Sequence, residues 1–164
     1  MAREFLTALL FFAAAAGSAQ ARETVTSKME AFVVQTDAGG KESFRTATAS
    51  KPGDVIEYRI RYDNNGNEPV SQLAVNGPVP VGTHYVVGSA KSETRNELLF
   101  SIDGGKSWQK SPVKRRKQRA DGPASEELVA AEEYTNIEWR AAEPLRPGVV
   151  QQFVYRVRVI AEKQ

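Results

Sequence analysis

Two stretches of the chain alternate apolar and polar residues with a period of two. In Asp54–Asp63, Ile56, Tyr58, Ile60 and Tyr62 fall on one face, opposed by Glu57, Arg59 and Arg61. In Gln152–Ala161, Phe153, Tyr155, Val157 and Val159 share a face, opposed by Arg156 and Arg158, while Val154 and Ile160 interrupt the polar side. Successive side chains of a strand point to opposite faces, so the pattern predicts half-buried antiparallel strands.

Weaker patterns predict more strands. Lys28–Gln35 offers Phe32 and Val34 as inward residues, Phe44–Ala49 offers Phe44, Thr46 and Thr48, and Val70–Val75 offers Leu73 and Val75. Tyr85–Val87, Leu98–Ile102 and Ile137–Ala141 follow, with Tyr85, Val87, Leu98, Phe100, Ile102, Ile137, Trp139 and Ala141 inward. Turn-forming residues separate them: Asp37–Gly40, Lys51–Asp54, Asn64–Asn67, Asn76–Pro78, Asp103–Gly105 and Arg146–Gly148. About seven to nine short strands punctuated in this way predict an all-β domain, an antiparallel β-sandwich or a small barrel. The aromatic core is expected from Tyr58, Tyr62, Phe100, Trp108, Trp139, Phe153 and Tyr155.

The N-terminus follows another rule. Arg3 precedes an apolar run from Phe5 to Ala16, and Ala19-Gln20-Ala21 supplies small residues for a signal peptidase. The run is too short to span a bilayer as a helix, and no later stretch approaches about 20 apolar residues. Residues 1–21 are therefore expected to be a cleaved export signal, and residues 22–164 a single domain, periplasmic or secreted, without a transmembrane segment.

One segment interrupts the strands. Lys110, Lys114, Arg115, Arg116, Lys117 and Arg119 are followed by Asp121, Glu126, Glu127, Glu132 and Glu133. Residues 110–134 read as a charged insertion loop, with a short helix starting at Ser125. Its basic half is the expected contact for an anionic partner, weighed against a solvated loop paired with its own acidic flank. Aromatic residues do not interleave the charges, so a nucleic-acid stacking platform is not expected.

Composition narrows the chemistry. The chain has no cysteine and one histidine, His84, and a net charge of +2. Disulfides, thiol nucleophiles and cysteine zinc sites are excluded, and a histidine relay or metal site has no second histidine. The adjacent pairs Glu126-Glu127 and Glu132-Glu133 point in different directions along any regular element and form no natural acid–base couple. No nucleophile elbow, phosphate-binding loop or EF-hand spacing occurs. The expectation is a non-enzyme with no cofactor and no metal.

Two stretches resemble known patterns. Lys51-Pro-Gly-Asp54, the strand through Tyr62, Asn64-Asn-Gly-Asn67 and then Pro78-Val-Pro-Val-Gly-Thr-His-Tyr85 leading to Gly88-Ser-Ala90 resemble the bacterial envelope repeat known as domain of unknown function eleven. One departure is Gly77, where that family usually carries an acidic residue. The resemblance covers about Lys51 to Val159 outside the charged segment. It implies an immunoglobulin-like sandwich in an envelope or secreted protein and no catalytic activity.

The second stretch, Ser101-Ile-Asp-Gly-Gly-Lys-Ser-Trp108, is similar to the Asp-box of secreted β proteins. Ser101, Asp103, Gly105 and Trp108 would form a structural hairpin, with Asp103 accepting turn N–H groups and Gly105 permitting the turn. A sialidase, where such hairpins recur, needs several repeats and an arginine cluster that this chain is too short to hold.

Lys28 or Lys51 with Asn136 and Glu57 are, by residue type only, candidates for an intramolecular isopeptide bond. The sequence thus predicts a non-catalytic structural or protein-interaction module of the envelope or extracellular space. The alternative is a module binding a carbohydrate or anionic envelope polymer through residues 110–119; an accessory enzyme comes third.

Overall fold

The computed structural model describes residues 24–119 and 122–161 of the chain, so the expected export signal lies outside the described residues. The strands are β1 (Val25–Thr36), β2 (Glu42–Thr46), β3 (Val55–Asn64), β4 (Ala74–Pro78), β5 (Thr83–Tyr85), β6 (Lys91–Ser92), β7 (Asn96–Ser101), β8 (Lys114–Arg119), β9 (Gly122–Leu128), β10 (Asn136–Ala141) and β11 (Val150–Val159). A 3-10 turn, Ala131–Glu133, precedes β10. The larger antiparallel sheet runs β2-β1-β3-β11-β5, with β6 also paired to β11; the smaller runs β4-β10-β7; among the described residues β8 and β9 pair only with each other. No described helix is long and apolar enough to cross a membrane.

The two strongest alternating segments lie side by side at the centre of the larger sheet. Tyr58 stands opposite Tyr155, and Ile60 opposite Phe153. Their apolar faces meet the smaller sheet in a sandwich-like arrangement. Phe153, Tyr155 and Val157 are fully buried, as are Val75 and Ile137, with Trp139 only 1% exposed. Tyr58 stacks on Tyr155 at 5.1 Å between ring centroids, and Trp139 packs on Phe153 at 5.7 Å and on Tyr155 at 5.9 Å. A second aromatic cluster joins Tyr85, Phe100 and Tyr134.

Several expected faces are reversed. In β1 the buried residue is Val33, with Phe32 and Val34 half-buried, and every residue of β2, including Phe44 and Thr46, is exposed, as is Thr48 beyond it. Phe32 and Phe44 face outward because they stack on the Arg59 guanidinium, at 4.6 and 4.4 Å from their ring centroids. Val87 is exposed, and Trp108 is half-buried on its turn, outside the core cluster. The described residues form eleven strands; the excess over the sequence reading is β6, two residues long, and the β8–β9 ribbon. The segment read as a loop with a helix from Ser125 is that antiparallel ribbon.

Gly77 answers a packing requirement. A Cβ built on it would lie 2.7 Å from Tyr155 Cε1 and 3.2 Å from Trp139 Cζ3, both in fully or nearly fully buried rings. Tyr155 also donates its hydroxyl to the Pro78 carbonyl, which fixes the ring over this spot. Gly77→Ala should therefore cost about 1–3 kcal/mol of stability, because neither ring has room to retreat. Chemical denaturation would register it as a lower midpoint at unchanged slope; an unchanged midpoint would contradict this packing.

Of the isopeptide candidates, Lys28, Asn136 and Glu57 are not brought together. Lys28 pairs with Glu30 on the exposed face of β1, Asn136 donates to Asn76 within the smaller sheet, and Glu57 lies between Arg59 and Arg156 on the outer face of the larger one.

Candidate functional site

The β8–β9 ribbon is rooted by two valines. Val113 is fully buried, Val129 is 6% exposed, and the Val129 N–H donates to the Val113 carbonyl at 2.9 Å. Beyond them β8 carries Lys-Arg-Arg-Lys-Gln-Arg and β9 Gly-Pro-Ala-Ser-Glu-Glu-Leu, and the described side chains are mostly exposed on both faces. Six residues of strand reach about 20 Å, so the ribbon extends well away from its root.

Directly opposed residues share a face of the ribbon. One face holds Lys114 opposite Leu128 and Arg116 opposite Glu126; the other holds Arg115 opposite Glu127 and Lys117 opposite Ser125. Lys114 pairs with Glu126 at 2.9 Å, Lys117 with Glu127 at 3.6 Å, and Arg115 with Glu133 at 2.8 Å and with Glu127 at 4.0 Å. At the base Lys110 pairs with Glu97 at 2.8 Å. These contacts hold the Glu126 carboxyl below its ordinary range and raise Lys114 and Arg115 above theirs, in each case chiefly through the hydrogen bond to the partner. Exposed pairs of this kind order the ribbon while adding little stability. Arg116 has no carboxylate within 4.0 Å among the described residues. Arg119 closes β8.

The Asp103 turn sits next to the ribbon's root. Asp103 Oδ1 accepts from the Ser101 hydroxyl at 2.7 Å and from the Lys106 and Ser107 N–H groups at 3.0 and 2.9 Å, and Oδ2 accepts from the Ser107 hydroxyl at 2.6 Å. Buried Ser101 accepts the Gly105 N–H at 2.9 Å, and the Gly104 N–H reaches Thr135 beside β10 at 2.9 Å. Gly104 and Gly105 have φ of 75° and 86°, the left-handed region that glycine adopts without strain. Trp108 Cζ2 lies 3.4 Å from where a Gly105 Cβ would stand, so the indole closes over the turn. Phe100 and Gln109 exchange backbone hydrogen bonds of 2.8 and 2.9 Å across it, completing a hairpin. The carboxylate is thus occupied by its own turn.

These hydrogen bonds, the Ser107 hydroxyl first and Ser101 next, hold the Asp103 carboxyl far below the ordinary carboxylate range. A group with a depressed folded pKa contributes stability above its unfolded value and loses it as pH falls toward the folded one. The melting-temperature gap between the protein and Asp103→Asn should therefore be widest at neutral pH and narrow below about pH 4. A gap that stays constant from neutral to strongly acid pH would contradict this role.

Sequence reasoning missed a third cluster, on the outer face of the larger sheet. Glu57, only 5% exposed, accepts from Arg59 Nε at 2.8 Å and from Arg156 Nε at 2.8 Å. Arg156 reaches Glu42 with its other two nitrogens, at 2.7 and 2.6 Å. Glu42 first and Glu57 next raise Arg156 above the usual guanidinium range. The signal was the facing of Glu57, Arg59 and Arg156 in adjacent alternating strands; the distant Glu42 could be placed only by the fold.

A groove of ≈ 620 Å³ is lined by Trp139 together with Lys91, Ser92, Glu93, Asn96 and Gln152. Ser92 and Asn96 hydrogen-bond to Thr94 within their own loop, and Trp139 is buried, presenting no ring face for a sugar to stack on. His84 lies in β5 opposite Arg158. No group of three or more metal-ligating side chains occurs among the described residues.

Comparisons with protein-family profiles, curated proteins and solved structures find no match. The functional reading therefore rests on the geometry of the ribbon and its surroundings.

Proposed function

We propose that this chain is a non-catalytic, exported module of the cell envelope or extracellular space, immunoglobulin-like in fold, that acts by contacting another macromolecule. The observation that carries the reading is the ribbon: a charged two-stranded projection, rooted by two buried valines and unpaired with either sheet. A two-stranded ribbon has little stability of its own and the sandwich packs without it, so folding alone does not explain its presence. Support for the immunoglobulin-like, envelope-repeat reading comes from the motifs in Lys51–Asn67 and Pro78–Ala90. In the structure these form the turn before β3, β3 itself and the approach to β5. At the first of those turns Gly53 has φ of 91°. The apolar run and small-residue site at the N-terminus support export.

A second reading, binding of an anionic envelope polymer through Lys110, Lys114, Arg115, Arg116, Lys117 and Arg119, is favoured by the guanidinium of Arg116, which has no carboxylate within 4.0 Å among the described residues. One experiment addresses both. Replacing Lys114, Arg115, Arg116 and Lys117 by glutamine should weaken retention on an isolated envelope fraction at low salt, and high salt should weaken the unaltered protein alike. Equal retention of the two proteins at low salt would remove the ribbon as the contact.

A further inference from the structure

Alternation along the ribbon determines which backbone groups are free. The Val113–Val129 hydrogen bond starts a ladder in which Arg115 pairs with Glu127 and Lys117 with Ser125 through the backbone. In an antiparallel pair the intervening residues turn their N–H and C=O groups away from the partner strand. Lys114 and Arg116 therefore present theirs on the outer edge of β8.

At Lys114 that edge is already occupied, and by a side chain. Gln109 Nε2 donates to the Lys114 carbonyl at 3.0 Å, and the Lys114 N–H donates to Gln109 Oε1 at 3.1 Å. This is the two-bond exchange that a residue of a neighbouring strand would make. The primary amide of Gln109 stands where the peptide group of a third strand would stand. One step on, at Arg116, no such partner is present among the described residues. The neighbouring side chains along β8, Arg115 and Lys117, are cationic, and no carboxylate lies within 4.0 Å of the Arg116 guanidinium among the described residues.

We propose that the outer edge of β8 receives an extended acidic polypeptide segment of a partner protein. The segment displaces the Gln109 amide at Lys114, continues the ladder at Arg116 and sets a carboxylate against the Arg116 guanidinium. Main-chain pairing supplies the attachment and the basic strand selects an acidic sequence. The inference rests on the ribbon being the contact surface, as proposed above, and specifies how the partner is held.

The test uses a synthetic peptide of alternating glutamate and threonine, its backbone N-methylated counterpart, and heparin as a polyanion without a peptide backbone. Three variants separate charge from strand pairing. Arg116→Gln removes the charge and keeps the outward N–H; Arg116→Pro removes both while leaving the β8–β9 ladder bonds untouched. Gln109→Ala vacates the edge at Lys114.

The peptide should bind Arg116→Pro about tenfold more weakly than Arg116→Gln, bind Gln109→Ala severalfold more tightly than the unaltered protein, and lose binding on N-methylation. Equal affinity of the two Arg116 variants, or undiminished binding of the N-methylated peptide, would overturn strand docking. If Arg116→Pro loosens the ribbon by circular dichroism, the N-methylated peptide and Gln109→Ala decide. Heparin binding without peptide binding would overturn strand docking while leaving the ribbon as an anionic contact; binding of neither would remove both.

Discussion

Trp139→Ala is expected to destabilise the domain by about 3–5 kcal/mol, the range for deleting a large aromatic side chain from a core. Trp139 is 1% exposed on the central strand of the smaller sheet, and it bridges the sheets through Phe153 and Tyr155. Its loss opens a cavity beneath the strand that also carries the Gly77 contact, so the surrounding rings cannot close over it without moving Tyr155. A domain of this size commonly has only about 5–15 kcal/mol of stability to lose, and a partly unfolded population at 37 °C is the expected phenotype. The second tryptophan, Trp108, remains as a fluorescent reporter of unfolding. Trp139→Phe keeps most of the volume and should cost distinctly less. A loss under about 1 kcal/mol for Trp139→Ala would mean that the sheets do not meet at this residue.

Glu57→Ala is expected to cost about 2–4 kcal/mol, somewhat below the full penalty for breaking a buried ion pair. Glu57 is almost inaccessible and is shared by two guanidiniums, whereas Arg59 and Arg156 keep 30% and 25% of their side-chain exposure. Removing the carboxylate leaves the two cations close together, Arg156 held by Glu42 and Arg59 held only between Phe32 and Phe44. Partial exposure lets both regain some hydration, which tempers the loss. Glu57→Gln, which retains an acceptor and the shape, should lose less than half as much. Urea unfolding at neutral pH measures both; equal and negligible losses would show that the network is ornamental to stability.

How much of this could be read from the residues follows from where each strand is wetted. β3 and β11 have one apolar and one largely polar face, and their alternation announced both position and phase. β1 and β2 misled because Phe32 and Phe44 are apolar yet face outward against Arg59, an arrangement visible only once the fold lays the Arg59 guanidinium over both rings. The ribbon gave no strand signal because both its faces are wet, and period-two reading depends on a contrast between faces. Ser125 followed by glutamates imitates a helix start, but the cross-strand partners of those glutamates are the cations of β8. The candidate residues themselves were identifiable by charge. Their division between two faces, their pairing, and the role of Gln109 at the edge required the register.

The central claim is that the ribbon is an attachment for a partner, separable from the sandwich that carries it. Val113 and Val129 are already joined by a backbone hydrogen bond, so replacing Lys114–Leu128 with a tight Asn-Gly turn should be tolerated by the fold. The decisive measurement is thermal unfolding of that variant together with its retention on the envelope fraction at low salt. A melting temperature within a few degrees of the unaltered protein, with retention lost, is the predicted result. Full retention by a ribbonless but folded sandwich would contradict it.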